Sequence, residues 1–382
     1  MAGLYIHIPF CASRCIYCNF YSTTSLKLRQ RYVDAVCREM SLLPTPSKER
    51  GSIDTIYLGG GTPSQLTPDQ LRQLFLYINK VYENQAVEVT IEMNPDDVTP
   101  AFAEVLPRLG INRVSMGAQT FDNERLRFLH RRHTTAQVQQ AVKILRDAGI
   151  GNISIDLMYG FPGETLDDWQ RDIEVALSLD VEHISAYCLM VEEGTALYER
   201  LKMKDEKIKM PNEELERQMY ELLIDKLTAA GYEHYEISNF SKPGYRSKHN
   251  SSYWQDIPYI GLGAAAHSYT VLGGSSSETT AFRSWNVADI HQYIEAIERG
   301  ELPSEQEEID GDTHYNDLIT VALRTSDGLD LTTLSDRHRR YCMKEAQRFL
   351  DDGLLQLCDN RLSLTRKGLF VSDYIMSSLI MV

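Results

Sequence analysis

"YIHIPFCASRCIYCNF" (residues 5–20) decides how the rest of the chain is read. It opens as a short β-rich apolar run. Directly after that run come Cys11, Cys15 and Cys18, spaced C-x3-C-x2-C and making up three of the chain's seven cysteines. An odd total with three residues so tightly clustered is a poor disulfide framework, so the thiols read as metal ligands in a reducing compartment. Four thiolates would close a structural zinc site or a fully ligated iron–sulfur cluster. Three at this spacing suit a [4Fe–4S] cube with one iron left open. The plainer alternatives are a zinc ion completed by a distant residue such as His7 or His130, or clustered free thiols.

Bulk properties narrow the class. The 382 residues, 43% of them hydrophobic, suffice for a large core and two or three domains. A formal net charge of −15 disfavours nucleic acid held through phosphates, and disfavours charge-driven docking on an anionic membrane. Residues 1–10 are apolar but lack the basic flank of a secretory signal. No uninterrupted apolar run reaches the roughly 18 residues of a membrane span. The apolar end "YIMSSLIMV" (374–382) reads as a last strand or a docking segment. The expectation is a cytoplasmic protein that meets membranes only through a target protein.

Working outward from the cysteines, β-rich runs at 4–10, 53–58, 87–93, 113–118, 152–159 and 183–189 alternate with amphipathic helical segments. The helices are expected at 25–43, 67–82, 99–109, 134–148, 165–179 and 211–230. Thr67-Pro68, Thr99-Pro100 and Thr165 with Asp168 mark starts, and Gly110 and Gly149 mark ends. Successive βα units build a parallel sheet, either doubly wound or an open barrel, and periodicity does not choose between them. After Gly231 the pattern breaks. Residues 232–304 are aromatic and turn-rich, with a linker-like "LGGSSSETT" at 272–280. From 305 a small α+β unit follows: helices at 312–325, 331–335 and 337–352, a strand–turn–strand at 354–365 turning on Asp359-Asn360, then a helix from 366. That order is winged-helix-like. The expected division is 1–231, 232–304 and 305–382.

Strand ends carry the candidate binding groups. "GGGTP" (59–63) ends the second run, and consecutive glycines let backbone approach a ligand closely. Glu92, Gln119 and Asp156 end later runs, where barrel-like folds place their ligands. Arg131 or Arg132 offers a guanidinium to a carboxylate. "HNSSYW" (249–254) groups a candidate axial ligand, His249, with rings able to stack on a porphyrin, Tyr253 and Trp254. A packed turn is the alternative there, and His267 is a second candidate ligand. "GLGAAA" (261–266) resembles a dinucleotide fingerprint, but without a well-formed strand before it or a βαβ unit around it, it reads as tight backbone packing. Cys37, Cys188, Cys342 and Cys358 read as ordinary buried or semi-buried thiols.

The cysteine spacing in the loop after a first barrel strand resembles the signature of radical SAM proteins. "YIHIPFC", "GGGTPS", "IEMNPDD", "GAQTF", "RRH" and "DLMYGFPGET", in that order, resemble the HemN/HemW family, the oxygen-independent coproporphyrinogen III oxidases and their relatives. The resemblance covers essentially the whole chain. It implies an α/β fold, a partial (β/α)6 TIM-like barrel with a small C-terminal domain. It implies a [4Fe–4S] cluster on Cys11, Cys15 and Cys18, with S-adenosylmethionine chelating the open iron and being cleaved to a 5′-deoxyadenosyl radical. Tyr5, Tyr17, Gly60, Gly61, Thr62, Glu92, Gln119, Arg131 and Asp156 would line the S-adenosylmethionine region.

Two departures separate the branches. Oxidases of this family carry C-x3-C-x2-C-x-C, and the last position here is Phe20. They also carry an extension before the cysteine strand, where here only ten residues precede Cys11. Both departures, with "HNSSYW", match the HemW branch, which resembles heme chaperones. That branch implies heme near His249, Tyr253 and Trp254, heme-accepting partner proteins, an electron donor, and room for a homodimer. The rival is an oxidase that decarboxylates porphyrin propionates to vinyls; no catalytic residue is assigned for it. A zinc-bearing structural protein is the third reading.

Overall fold

In the computed structural model, described for residues 2–43, 52–203, 208–272 and 280–381, the six β-rich runs become β1 (Ala2–Ile8), β2 (Ile53–Gly60), β3 (Asn84–Met93), β4 (Arg113–Gln119), β5 (Asn152–Tyr159) and β6 (His183–Cys188). Each is parallel to the next, and they lie in the sheet in chain order. A doubly wound sheet reverses its strand order partway. An unreversed run puts every right-handed crossover on one face, so the sheet curls around a common interior as an open barrel. Strand order therefore supplies the choice that periodicity left open. β6 pairs onward with β8 (Asn239–Ser241), antiparallel, rather than closing onto β1.

The helices form where their sequences place one apolar stripe and a good start. Pro68–Val81 buries Leu71, Leu74, Phe75 and Ile78, spaced i, i+3, i+4, i+7. Thr67 with Gln70 and Thr165 with Asp168 form capping boxes, each satisfying two otherwise orphaned N–H groups, and Gln137 Oε1 accepts from Thr134 N at 2.8 Å. The segment expected as one helix at 99–109 breaks into Pro100–Ala103 and Val105–Arg108. Pro107 lacks the N–H that would bond the Ala103 carbonyl.

Residues 232–309 extend the same sheet, so the boundary expected at 304/305 falls inside its last strand. β7 (Glu233–Glu236) and β8 continue from β6. On the other side β9 (Tyr259–Leu262) pairs parallel with β1, followed by antiparallel β10 (His267–Leu272), β11 (Thr280–Asn286) and β12 (Ser304–Ile309). Two expectations change. A strand, β9, does run into "GLGAAA", although the antiparallel β10 follows and no βαβ unit forms. "HNSSYW" lies in a helix, Lys248–Trp254, not a turn. Its start is fixed by Ser247 and by the Glu88 carboxylate, which accepts from the N–H groups of Lys248 and His249 at 2.9 Å each. Residues 273–279 of the linker-like segment lie outside the described residues; its ends finish β10 and begin β11.

The C-terminal unit has its own core of Tyr315, Ile319, Cys342, Phe349, Leu362 and Ile375 among others. Asp359 and Asn360, at φ 49° and 62°, make the two-residue turn between β14 (Leu355–Cys358) and β15 (Arg361–Leu364), the left-handed pair a type I′ hairpin requires. β13 (Leu329–Asp330) completes that small sheet. Residues 331–335 are turns rather than a helix, because the Asp330 carboxylate accepts from Thr332 N and Oγ1 and competes with helical bonding. The apolar end forms a helix, Ser372–Leu379, not a strand; Ile375, Met376 and Leu379 share one helical face and bury it. Cys358 is exposed, not semi-buried.

One buried carboxylate couples the sheet extension to the barrel. Glu39, on the helix Arg29–Leu42, accepts from Tyr293 Oη (2.6 Å), Asn286 Nδ2 (2.6 Å) and Gly263 N (2.8 Å). Glu39→Ala strands three buried donors at once and is expected to cost about 3 kcal/mol of stability, read from the urea midpoint.

Candidate cluster and cofactor site

The C-terminal ends of β2 to β6 and the cysteine loop enclose one cavity of about 600 Å³, within the range of a small-molecule site. Cys11, Cys15, Cys18, Tyr17, Gly60, Gly61, Thr62, Glu92, Gln119, Arg131 and Asp156 all line it. Eleven residues spread over 146 positions of sequence thus meet because parallel strands deliver all their C-terminal ends to one side.

The cysteine loop is held on both flanks. Thr23 N donates to Pro9 O (2.6 Å) and Cys11 N to Thr23 O (2.9 Å), pinning its base. Ile16, between two of the cysteines, is buried among Leu129, Met158, Phe161, Leu189 and Leu197. Its N–H donates to Leu129 O and its carbonyl accepts from Leu197 N. Burying such a side chain contributes about 1.5–3 kcal/mol, enough to fix a loop that has no regular structure of its own.

Arg131 joins the loop to the strand ends. Its guanidinium donates to Gly117 O (2.6 Å) and Asn94 Oδ1 (2.7 Å) and stands 3.6 Å from Cys15 Sγ. A cation beside a sulfur favours the thiolate that binds metal. Arg131 Nε is buried with no partner. Cys11 Sγ lies 3.6 Å from Thr62 Oγ1. Burial raises the Cys11 and Cys18 thiols above their ordinary pKa, so these groups release protons on binding metal.

The glycines serve the chain before any ligand. Gly60, at φ +107°, has the His7 ring where a Cβ would stand, 2.5 Å away; a Cβ on Gly61 would meet the Pro9 carbonyl carbon at 2.8 Å. Only glycine lets the end of β2 close on β1 and the cysteine loop. Gln119 is left-handed at φ 67°, beside a register shift on β4, a bulge that re-aims a side chain.

Charge collects on the cavity floor. Glu92 accepts from Tyr57 Oη (2.8 Å) and Gly60 N (3.1 Å). Burial, then the nearby Asp156 charge, push its carboxyl up to about 7 against the opposing pull of Tyr57. Asp156 is raised by burial too, opposed first by its bond with Ser185. Below them Arg113 is fully buried, with Nε and Nη1 unpartnered.

Some expected groups lie elsewhere. Tyr5 does not line the cavity: its hydroxyl bonds His7 Nδ1 at 3.0 Å and its ring stacks on Tyr57. His249, Tyr253 and Trp254 do not reach it either. His249 is fully buried near the start of β2, with Nδ1 on Thr55 Oγ1 (2.9 Å) and Nε2 on Tyr253 Oη (2.8 Å). Burial, then Arg113, lower its pKa to about 3. In this arrangement the ring has no free nitrogen. Trp254 packs on Tyr235. His267 is exposed beside Trp285. His7 is engaged at both nitrogens, the second by Tyr21 O (3.0 Å), so it does not complete a zinc site. Among the described residues no three His, Cys, Asp or Glu side chains converge on a single ion, although the three thiols line the same cavity.

Asn94, His130, His133, Tyr187, Cys188 and Met190 also line the cavity and went unassigned as cofactor groups from sequence. Asn94, Tyr187 and Cys188 obey the same strand-end rule that picked out Glu92 and Asp156.

An open parallel (β/α)6 barrel with three cysteines after its first strand is the architecture of a radical SAM protein, and residues 5–176 match the Radical SAM superfamily while 309–371 match the HemN C-terminal domain. Heme chaperone HemW of Bacillus subtilis (strain 168) is 35% identical over 378 residues, 96% of each chain. Heme chaperone HemW of Lactococcus lactis subsp. lactis (strain IL1403) is 32% identical over 370 residues, 95% of this chain and 93% of that one. The chain belongs to the HemW family. A solved structure of coproporphyrinogen III oxidase (HemN) from Escherichia coli superposes with a TM-score of 0.82 at 21% identity, covering 99% of this chain and 89% of that one, which shows the shared fold.

Glu92 makes the site pH-sensitive. Its folded pKa near 7 lies above the ordinary 4.5, so the folded state binds this proton more tightly and stability falls as pH rises from about 4.5 to about 7. Glu92→Gln is expected to be more stable than the parent at pH 8 by about 1–2 kcal/mol and to flatten that slope, as checked by denaturant titrations across the window.

Proposed function

We propose that this protein is a heme chaperone that binds heme and hands it to heme-accepting proteins, working in the cytoplasm and meeting membranes only through its targets. The observation that carries the reading is the match to heme chaperones along 96% of both chains. Phe20, standing where the oxidase pattern has a fourth cysteine, supports it independently. No helix among the described residues is long and apolar enough to cross a membrane.

In the same reading Cys11, Cys15 and Cys18 hold a [4Fe–4S] cluster and S-adenosylmethionine occupies the iron they leave open. Together these groups supply one-electron chemistry when bound; the protein supplies position and exclusion of water. Arg131 balances thiolate charge at Cys15. Glu92 and Asp156 offer carboxylates to the cationic end of S-adenosylmethionine, Gln119 and Thr62 offer hydrogen bonds, and Gly60 and Gly61 let β2 close beneath it. Tyr17 sits among the cysteines, and Tyr5 supports the floor through His7 and Tyr57. Residues 1–231 are the barrel, 232–304 its extension and 305–382 a small domain; the separate C-terminal core supports the division, with β12 carrying the extension's sheet to Ile309, a few residues past that boundary. An electron donor for the cluster and a homodimer complete the reading.

Anaerobic reconstitution tests it. Cys15→Ala is expected to lose nearly all bound iron; iron retained at the parent level would mean the ligands are wrong. Heme and coproporphyrinogen III, offered side by side to one cluster-loaded sample, should give heme binding without porphyrinogen turnover. Conversion of the propionates to vinyls, with a reductant and S-adenosylmethionine present, would replace this reading with the oxidase.

A further inference from the structure

The mouth of the cluster cavity carries an apolar rim. Phe20 is 70% exposed, Met190 66% and Tyr187 44%, and all three line this one cavity. Single exposed apolar side chains are ordinary; several gathered at one cavity mouth mark a docking surface. They come from two separate elements, the cysteine loop and the end of β6 with the residues after it. His130 lines the same cavity, exposed, with its backbone left-handed at φ 60°. Its one side-chain hydrogen-bond partner among the described residues is Arg200, at 3.4 Å, a contact weak enough to give way. Arg14, on the cysteine loop, is exposed and lines the cavity too.

We propose that heme docks at this mouth, with its ring on Phe20, Tyr187 and Met190, its iron ligated by His130, and its propionates toward Arg14. This rests on the chaperone reading and names the place and the ligand. Heme asks for three things at once: a broad apolar contact for the macrocycle, an accessible imidazole for the iron, and a cation for the carboxylates. The mouth presents all three. The rival histidines do not: His249 is fully buried with both ring nitrogens bonded, and His133 is buried, with Nε2 on Ala118 O at 3.1 Å and its one unpartnered nitrogen, Nδ1, closed off from the surface.

The test is a hemin titration of cluster-reconstituted full-length protein, followed by the Soret band and by electron paramagnetic resonance. The double variant Phe20→Ser, Met190→Ser is expected to weaken heme binding about tenfold or more. His130→Ala should lose the axial-imidazole signature, and added free imidazole should restore it. His249→Ala should keep that signature. Phe20, Met190 and His130 are exposed, so an unchanged melting temperature separates lost binding from lost folding. Heme bound by the parent with parent-like affinity in the double variant and a parent-like spectrum in His130→Ala would overturn the mouth site while leaving the chaperone reading in place. The mouth site also falls if the signature disappears only in His249→Ala, or if the rim variants weaken docking of a heme-accepting protein and leave heme affinity unchanged. A parent protein that binds no heme would overturn both proposals.

Discussion

The Arg131 guanidinium is the contact on which the rest of the site depends. It reaches Cys15 Sγ on the loop after β1, Asn94 beyond β3 and the Gly117 carbonyl on β4. Three segments far apart in sequence are thereby held by one planar cation whose donors are fixed in a fork. A point charge would balance a thiolate as well, but it would not fix the angle between a loop and two strand ends. The loop has no regular structure of its own, so the position of the sulfurs follows from the arginine, the pinned base, the buried Ile16 and the Cys11–Thr62 contact.

Beneath it the barrel interior is charged, and the charges interlock. Glu92 and Asp156 are pushed toward their neutral forms by burial and, for Glu92, by the other's charge. Arg113 opposes both shifts from below. The same cation helps keep His249 neutral, and His249 stacks on Tyr57, whose hydroxyl is bonded to Glu92. The floor of the cofactor cavity and the helix Lys248–Trp254 are thus parts of one polar column. The residues of "HNSSYW" support the site from beneath in this conformation, with no open face of their own.

How legible was this in the sequence? Capping boxes, apolar stripes and the Asp359-Asn360 turn are local, and each was realised close to where its residues place it. The strand-end rule found Glu92, Gln119 and Asp156 because a parallel sheet sends every strand end to the same side. The same rule covers Asn94, Tyr187 and Cys188, whose amide, aromatic and thiol side chains stand out less along the chain than a carboxylate does. Arg113 carried no signal: an arginine at a strand's first residue looks solvent-facing until the curled sheet and its neighbours bury it. The helix expected from 366 forms in two pieces, Arg366–Leu369 and Ser372–Leu379, while the strand reading of 374–382 fails because so short an apolar run holds too few turns to show a helical stripe.

By itself the sequence determined the cysteine spacing, the βα alternation and the missing fourth cysteine, since each is a matter of residue order alone. Tertiary structure decided what order cannot express. It set the strands in unreversed succession, so that the sheet curls. It closed β2 on β1 through glycines whose absent side chains would strike His7 and Pro9. It buried His249 while leaving His130 at the surface, although both are histidines flanked by polar or charged residues along the chain. Exposure and free lone pairs belong to three-dimensional packing, and no spacing of letters encodes them.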